Sequence, residues 1–177
     1  MPGSVVVVPH DVRWKEQFAS ESPLVARCLG EDVNATHHIG STSIPGIFAK
    51  PIIDVLAEVA DVEKVDSCND AMELAGYEAM GEYGIPGRRY FRKDDAHGVR
   101  THHVHVFQSG NAEVARHLGF RDFMLAHPEI AQEYSDLKRA LALAHPEDSD
   151  AYQDGKEAFI KRVDEKAAVW RRQGANR

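Results

Sequence analysis

The apolar residues of this 177-residue chain fall into two regimes: short runs with strand spacing in the first part, and three-to-four-residue spacing from Asn111 onward. Four consecutive valines at 5–8 read as a short buried strand that Pro9 ends. Trp14 and Phe18, four apart, begin an amphipathic helix. Ser22-Pro23 is expected to break or restart it before Leu29, because proline lacks an N–H and crowds the preceding turn, and Gly30 ends it. Residues 36–39 form a strand candidate, Gly40-Ser41-Thr42-Ser43 a polar turn with Pro45-Gly46 beyond it, and residues 52–59 a largely buried strand. Val62, Val65, Cys68, Met72 and Ala75 keep helical spacing up to Gly76, with Asp61 placed to cap the helix.

Three more strands are expected near residues 77–81, 89–92 and 100–107, separated by the Gly84-Ile85-Pro86-Gly87 turn and the loop 94–98. These gaps are too short for crossover helices, so antiparallel hairpins are the natural connections. The helical pattern after Asn111 is interrupted at His127-Pro128, where proline suits the first turn of a new helix carrying Ile130, Tyr134, Leu137 and Leu141 on one face. A last helix from about Asp150 carries Phe159, Val163 and Ala167 at four-residue steps and Trp170 three beyond. The pattern predicts an α+β fold: a small mixed, mostly antiparallel sheet with helices packed on it and a helical C-terminal part at about 111–172. With neither linker nor repeat in view, residues 1–177 are expected to form one domain.

Composition mainly excludes. Hydrophobic residues at 43% and charged residues at 28% are ordinary globular usage, which sets aside disordered and fibrous classes. No apolar run approaches the roughly 20 residues that cross a bilayer, and nothing near Met1 resembles a signal peptide, so no membrane partner and a cytoplasmic location are expected. With 21 Lys+Arg against 28 Asp+Glu, the net charge of −7 argues against a broad nucleic-acid surface. It leaves room for a small phosphorylated or anionic molecule held by a local basic cluster. Cys28 and Cys68 are too few for a disulfide framework and lack metal-ligand spacing, so buried thiols are expected.

The densest polar constellation is His38-Ile39-Gly40-Ser41-Thr42-Ser43, followed by Asp54 inside the apolar run Ile52-Ile53-Asp54-Val55-Leu56. A carboxylate inside an apolar strand is costly unless paired or bound to a metal. A Gly-Ser turn can offer N–H groups and hydroxyls to phosphate oxygens, and a carboxylate on the next strand can hold the bridging cation, a spacing that fits nucleotidyl transfer. A tight loop with Asp54 capping a neighbouring turn is the plainer alternative. In His102-His103-Val104-His105, alternation puts His103 and His105 on one strand face. Their backbones lie about 7 Å apart, so both imidazoles can converge on one ion with Asp54 as third ligand. Such a donor set favours a divalent transition ion such as zinc or manganese over magnesium. The same histidines could instead be hydrogen-bonded strand residues, or bind an anion while protonated. Arg88, Arg89, Arg92 and Lys93 lie within six residues, with Arg100 one strand later and Lys50 just ahead of Asp54. They read equally as a phosphate clamp or as a solvated hairpin edge.

A Gly-Ser pair followed by a strand Asp is similar to the signature of the nucleotidyltransferase superfamily related to polymerase β. The longer strings, residues 38–46 (HIGSTSIPG) and Lys50-Pro51-Ile52-Ile53-Asp54, resemble the GrpB family. Further matches run through residues 88–93, 101–106 and 120–123, His127-Pro128, residues 134–138 and residues 152–156, nearly the whole chain. The resemblance implies a nucleotidyltransferase-like fold that binds a nucleotide or other phosphorylated small molecule. Gly40, Ser41, Thr42 and Ser43 would seat phosphates, the basic residues would act as the clamp, and Asp54, His103 and His105 would hold the metal and serve catalysis. Lys138 and Lys156, beside Tyr134 and Tyr152, match family positions on the C-terminal helices and join the binding set in a secondary tier. One position departs from the superfamily: the second carboxylate, two residues after the first, is here Leu56, and Glu58 lies roughly 13 Å along the strand from Asp54. Three functions follow: metal-dependent nucleotidyl or phosphoryl transfer, a noncatalytic nucleotide-binding or regulatory module, or a metal-dependent hydrolase or lyase using the His/Asp set.

Overall fold

In the computed structural model, which describes residues 4–174, five strands form one sheet. They are β1 (Val33–Ile39), β2 (Ile53–Val59), β3 (Tyr77–Ala79), β4 (Arg88–Asp94) and β5 (Arg100–Gln108), in the spatial order β1-β2-β5-β4-β3. β2 and β5 pair in parallel and every other neighbouring pair is antiparallel, so the mixed, mostly antiparallel α+β architecture is present. The ends of the expected domain, residues 1–3 and 175–177, lie outside the described residues.

The parallel pair is central, where both faces must be covered. Ile53, Val55, Ala57 and Val59 of β2 and Val104 and Val106 of β5 share one apolar cluster with Trp14, Val25 and Leu29 of α1 (Arg13–Leu29) and Met72 of α2 (Asn69–Leu74). Strand alternation sends the intervening residues, Asp54 and Leu56 of β2 and His103, His105 and Phe107 of β5, to the other face. There Leu56 and Phe107 pack with Ile39 and with Val114 of α3 (Ala112–Ala126). α4 (Pro128–Ala144) and α5 (Ser149–Gly174) complete this side with α3. Phe123, Met124, Tyr134, Phe159 and Val163 form their shared core, into which Ile44 and Ile47 insert from the segment after the Gly-Ser turn. The Phe48 N–H donates to the fully buried Ser135 hydroxyl (2.9 Å), fastening that segment to α4.

Several expectations change in detail. The valines at 5–8 form no strand. Val8 makes an isolated bridge with Ala49 and the Val5 N–H donates to the Pro146 carbonyl (2.8 Å), because their partners are single loop residues rather than a sheet edge. α1 runs unbroken through Ser22-Pro23. Pro23 and Ala19 are both exposed, so the bond that proline removes lies on the solvent side, where water replaces it. The expected helix after Asp61 divides into a 3₁₀ stretch, Val62–Cys68, and the short α2. Asp61 does cap it, accepting from the Glu63 N–H (3.0 Å), and the tighter winding keeps Val65 and Met72 buried while Asp66 reaches Arg89. β1 begins at Val33, earlier than expected, and Cys28 and Cys68 are half-buried at the edge of the core rather than inside it. No helix among the described residues is long and apolar enough to cross a membrane.

Ser135→Ala is expected to destabilise the protein by about 1–3 kcal/mol in urea unfolding, since it leaves the Phe48 N–H without its acceptor. Wild-type stability would show that this hydrogen bond does not hold the segment.

Candidate functional site

The site begins where β1 ends. Ile39 pairs with Asp54 across the sheet, and the chain then turns at Gly40 with φ 73° and ψ −174°, a conformation essentially reserved for glycine. A Cβ on Gly40 would fall 2.6 Å from Asp54 Oδ2, so only glycine lets the turn lie against this carboxylate. The Ser43 hydroxyl donates to the Gly40 carbonyl (2.5 Å) and the Thr42 hydroxyl to the Ile52 carbonyl (3.1 Å). Those two hydroxyls therefore stabilise the turn itself. Ser41 lines the cavity.

Asp54 sits opposite His103 in the parallel register, with Leu56 opposite His105. Asp54 Oδ1 lies 3.3 Å from His103 Nδ1 and 3.1 Å from His105 Nε2, and one donor atom from each residue falls within 4.8 Å of the others. Burial pushes the Asp54 carboxyl up, but the two imidazoles outweigh it and hold this group well below the usual carboxylate range. The two Asp–His separations match the roughly 3.3 Å edge of a tetrahedron whose metal–ligand bonds are near 2.0 Å, so these residues could hold a metal ion. His105 Nδ1 accepts from Arg88 Nη1 (3.4 Å), which leaves the ring proton on Nε2 to donate to Asp54 Oδ1; an ion at Nε2 would need that proton moved to Nδ1 and Arg88 drawn away from it. Tyr90 flanks both imidazoles, its ring centroid 5.5 Å from His103 and 5.4 Å from His105. His117 of α3 lies 5.7 Å from the His105 ring, and burial, aided by Arg116 and His105, holds its pKa at about 3.

Alternation divides the basic run on β4. Arg89 and Lys93 face α1 and α2, paired with Asp66 (2.7 Å) and Glu21 (2.8 Å), so they do not join the site. Arg88 faces the histidines but is 7% exposed, and it spends its donors on the Glu82 and Tyr83 carbonyls (3.1 and 2.8 Å), which fixes the turn before β4. Arg92 pairs with Glu78 (2.6 Å) and Arg100 with Asp94, Arg100 at the rim of the cavity. The expected arginine clamp is thus largely committed to neighbouring carboxylates and carbonyls.

The unspent positive charge lies elsewhere. Lys50, Lys138 and Lys156 share with Ser41, Asp54 and His103 a cavity of about 820 Å³ between the Gly-Ser turn, β5 and the C-terminal helices. The Lys50 and Lys156 amines stand 4.5 and 4.7 Å from the Tyr152 ring centroid, and the Lys138 amine 4.5 Å from that of Tyr134. Lys138 Nζ is buried without a hydrogen-bond partner. Burial lowers all three: Lys156 to about 8, with the charge of Lys50 adding, and Lys138 to about 7, with that of Lys156 adding. Converging amines whose pKa values burial depresses, in a cavity, make this a candidate functional site. The sequence carries a signal for this half of the site in two Tyr-Lys pairs four residues apart, 134/138 and 152/156, which one helix face presents together. Sequence spacing gives His117, one of several scattered histidines, no role, and Tyr90 shares its strand face with Arg88 and Arg92.

Gly40→Ala is expected to cost about 1–3 kcal/mol in urea unfolding and to shift the imidazole ¹⁵N resonances of His103 and His105, because Asp54 must withdraw from the new methyl group. Unchanged stability together with unshifted imidazole signals would contradict the close approach of turn and carboxylate.

A model of the GrpB protein family matches residues 4–166. UPF0157 protein YqkA of Bacillus subtilis is 45% identical over 168 residues, covering 95% of this chain and 48% of that protein, so the chain spans about half of that relative's length. Glutamate-rich protein GrpB of Alkalihalophilus pseudofirmus is 36% identical over 143 residues, covering 79% of this chain and 82% of the relative. The crystal structure of conserved protein GrpB from Enterococcus faecalis superimposes with a TM-score of 0.88 at 45% identity, covering 93% of this chain and 99% of that one. The matched span contains the Gly-Ser turn, the Asp-His-His cluster and both Tyr-Lys pairs, and the chain belongs to the GrpB family.

Proposed function

We propose that this chain binds a phosphorylated small molecule, a nucleotide as the leading class, and carries out metal-dependent phosphoryl or nucleotidyl transfer on it. One observation carries the reading: Asp54 and His103, which cluster with His105, line the same cavity as the three lysines, a cation-holding set beside an anion-holding set. Asp54, His103 and His105 would hold a divalent ion, zinc or manganese in preference to magnesium, since two of the three donors are imidazoles. Such an ion supplies charge neutralisation at phosphate oxygens. Lys50 and Lys156 pair with those oxygens, and the Ser41 hydroxyl adds a donor at the turn. The Tyr152 and Tyr134 rings hold the amines through their π faces, without a carboxylate that would compete with the ligand.

A noncatalytic binding module is the second reading, and Leu56 favours it. This residue occupies the place of a second strand carboxylate and is fully buried against Ile39, Phe107 and Val114, so that position belongs to the core.

Titration with nucleoside triphosphates, with and without manganese or zinc and with chelator, tests binding, and turnover of labelled triphosphate with a metabolite pool tests transfer. Asp54→Asn, nearly isosteric, is expected to lower the metal-linked part of the affinity at least tenfold with the fold intact. Unchanged metal-dependent affinity rejects Asp54 as a ligand. Binding without turnover selects the noncatalytic reading, and release of inorganic phosphate without transfer selects the hydrolase.

A further inference from the structure

Among the described charged residues Lys138 is the least exposed, at 1%, and its amine has no hydrogen-bond partner. On its own helix it faces the Tyr134 ring. The other charged and titratable groups of its cavity are Lys50 ahead of β2, Asp54 on β2, Asp94 and Arg100 at the β4–β5 turn, His103 on β5, and Tyr152 and Lys156 on α5. Neither carboxylate is free to serve it, for Asp54 is engaged by His103 and His105 and Asp94 by Arg100. A proton on Lys138 would therefore sit away from water, beside the cationic Lys156, with the face of the Tyr134 ring against it but no carboxylate to balance it.

We propose that the cavity is a proton-coupled anion site, in which Lys138 is largely uncharged above neutral pH while the cavity is empty and takes up a proton as a phosphate group enters. This rests on the phosphate-binding reading above and adds to it the responsible residue and the direction of its pH dependence. An entering phosphate supplies the missing negative charge and returns the amine toward the ordinary lysine value of about 10.4. With the empty-site value at about 7, Lys138 is about one-tenth protonated at pH 8 and nearly fully protonated once the anion is bound. It then takes up about 0.9 proton at pH 8 and about 0.1 at pH 6. Affinity falls as pH rises above 7, approaching about tenfold per pH unit from this group. Lys156, lowered to about 8, adds about half a proton at pH 8, so a variant is needed to isolate Lys138.

The experiment uses inorganic tripolyphosphate in the presence of chelator, followed by calorimetry at pH 6 and pH 8 in buffers of different ionisation enthalpy. The wild-type protein should take up more than one proton per anion at pH 8. Lys138→Met, which keeps the side-chain volume, should lose about 0.9 of this, bind more weakly at pH 6, and unfold at a higher temperature because an unpaired buried amine is gone. In the ligand-free protein, the ¹³Cε resonance of Lys138 should titrate near pH 7. A titration midpoint above 10 overturns the inference whatever binds. Equal affinity at the two pH values without proton uptake also overturns it but leaves the phosphate reading standing, whereas no binding at either pH overturns both.

Discussion

The parallel pairing of β2 with β5 is the constraint from which the site follows. Ile53, Val55, Ala57 and Val59 on one strand and Val104 and Val106 on the other must all face α1 and α2, and that requirement fixes which residues emerge opposite. A slip of one residue would drive Asp54 and both histidines into the apolar layer at a cost of several kcal/mol each, so the hydrophobic core enforces the register that sets Asp54 against His103. The Gly-Ser turn is subordinate to the same pairing. It follows the last residue of β1, which pairs with Asp54, and glycine is what allows the backbone to close over the carboxylate.

The two halves of the cavity are built on opposite electrostatic terms. At the strand end, charge is satisfied: Asp54 is held by two imidazoles and stays ionised despite its burial. At the helix end, three amines converge with aromatic rings and no free carboxylate, and their protons are disfavoured. A protein optimised for stability alone would place an apolar residue at position 138; in the proposed function, the buried amine is where stability is given up for binding. The arginines of β4 and β5 show the contrasting case, each paired locally and so serving the fold before any ligand.

Much of this was determined by the sequence itself. Period-two alternation in residues 102–105 and the lone carboxylate among the apolar residues of 52–56 put Asp54, His103 and His105 on one face, because side-chain direction in a strand is a local property. The hairpins and the three C-terminal helices followed from turn residues and spacing for the same reason, and the division of Arg88 and Arg92 from Arg89 and Lys93 was equally available from alternation. Local spacing says which face a residue occupies and nothing of what covers that face. The unbroken α1 through Pro23, the loose valines at 5–8 and the burial of Lys138 against Tyr134 were settled only when distant segments packed, since each depends on whether solvent or a neighbouring element lies alongside. The meeting of residues 41–54 with 134–156 in one cavity was decided likewise by tertiary packing, because the contacts that join them, such as Phe48 with Ser135, span 87 positions that no short-range pattern connects.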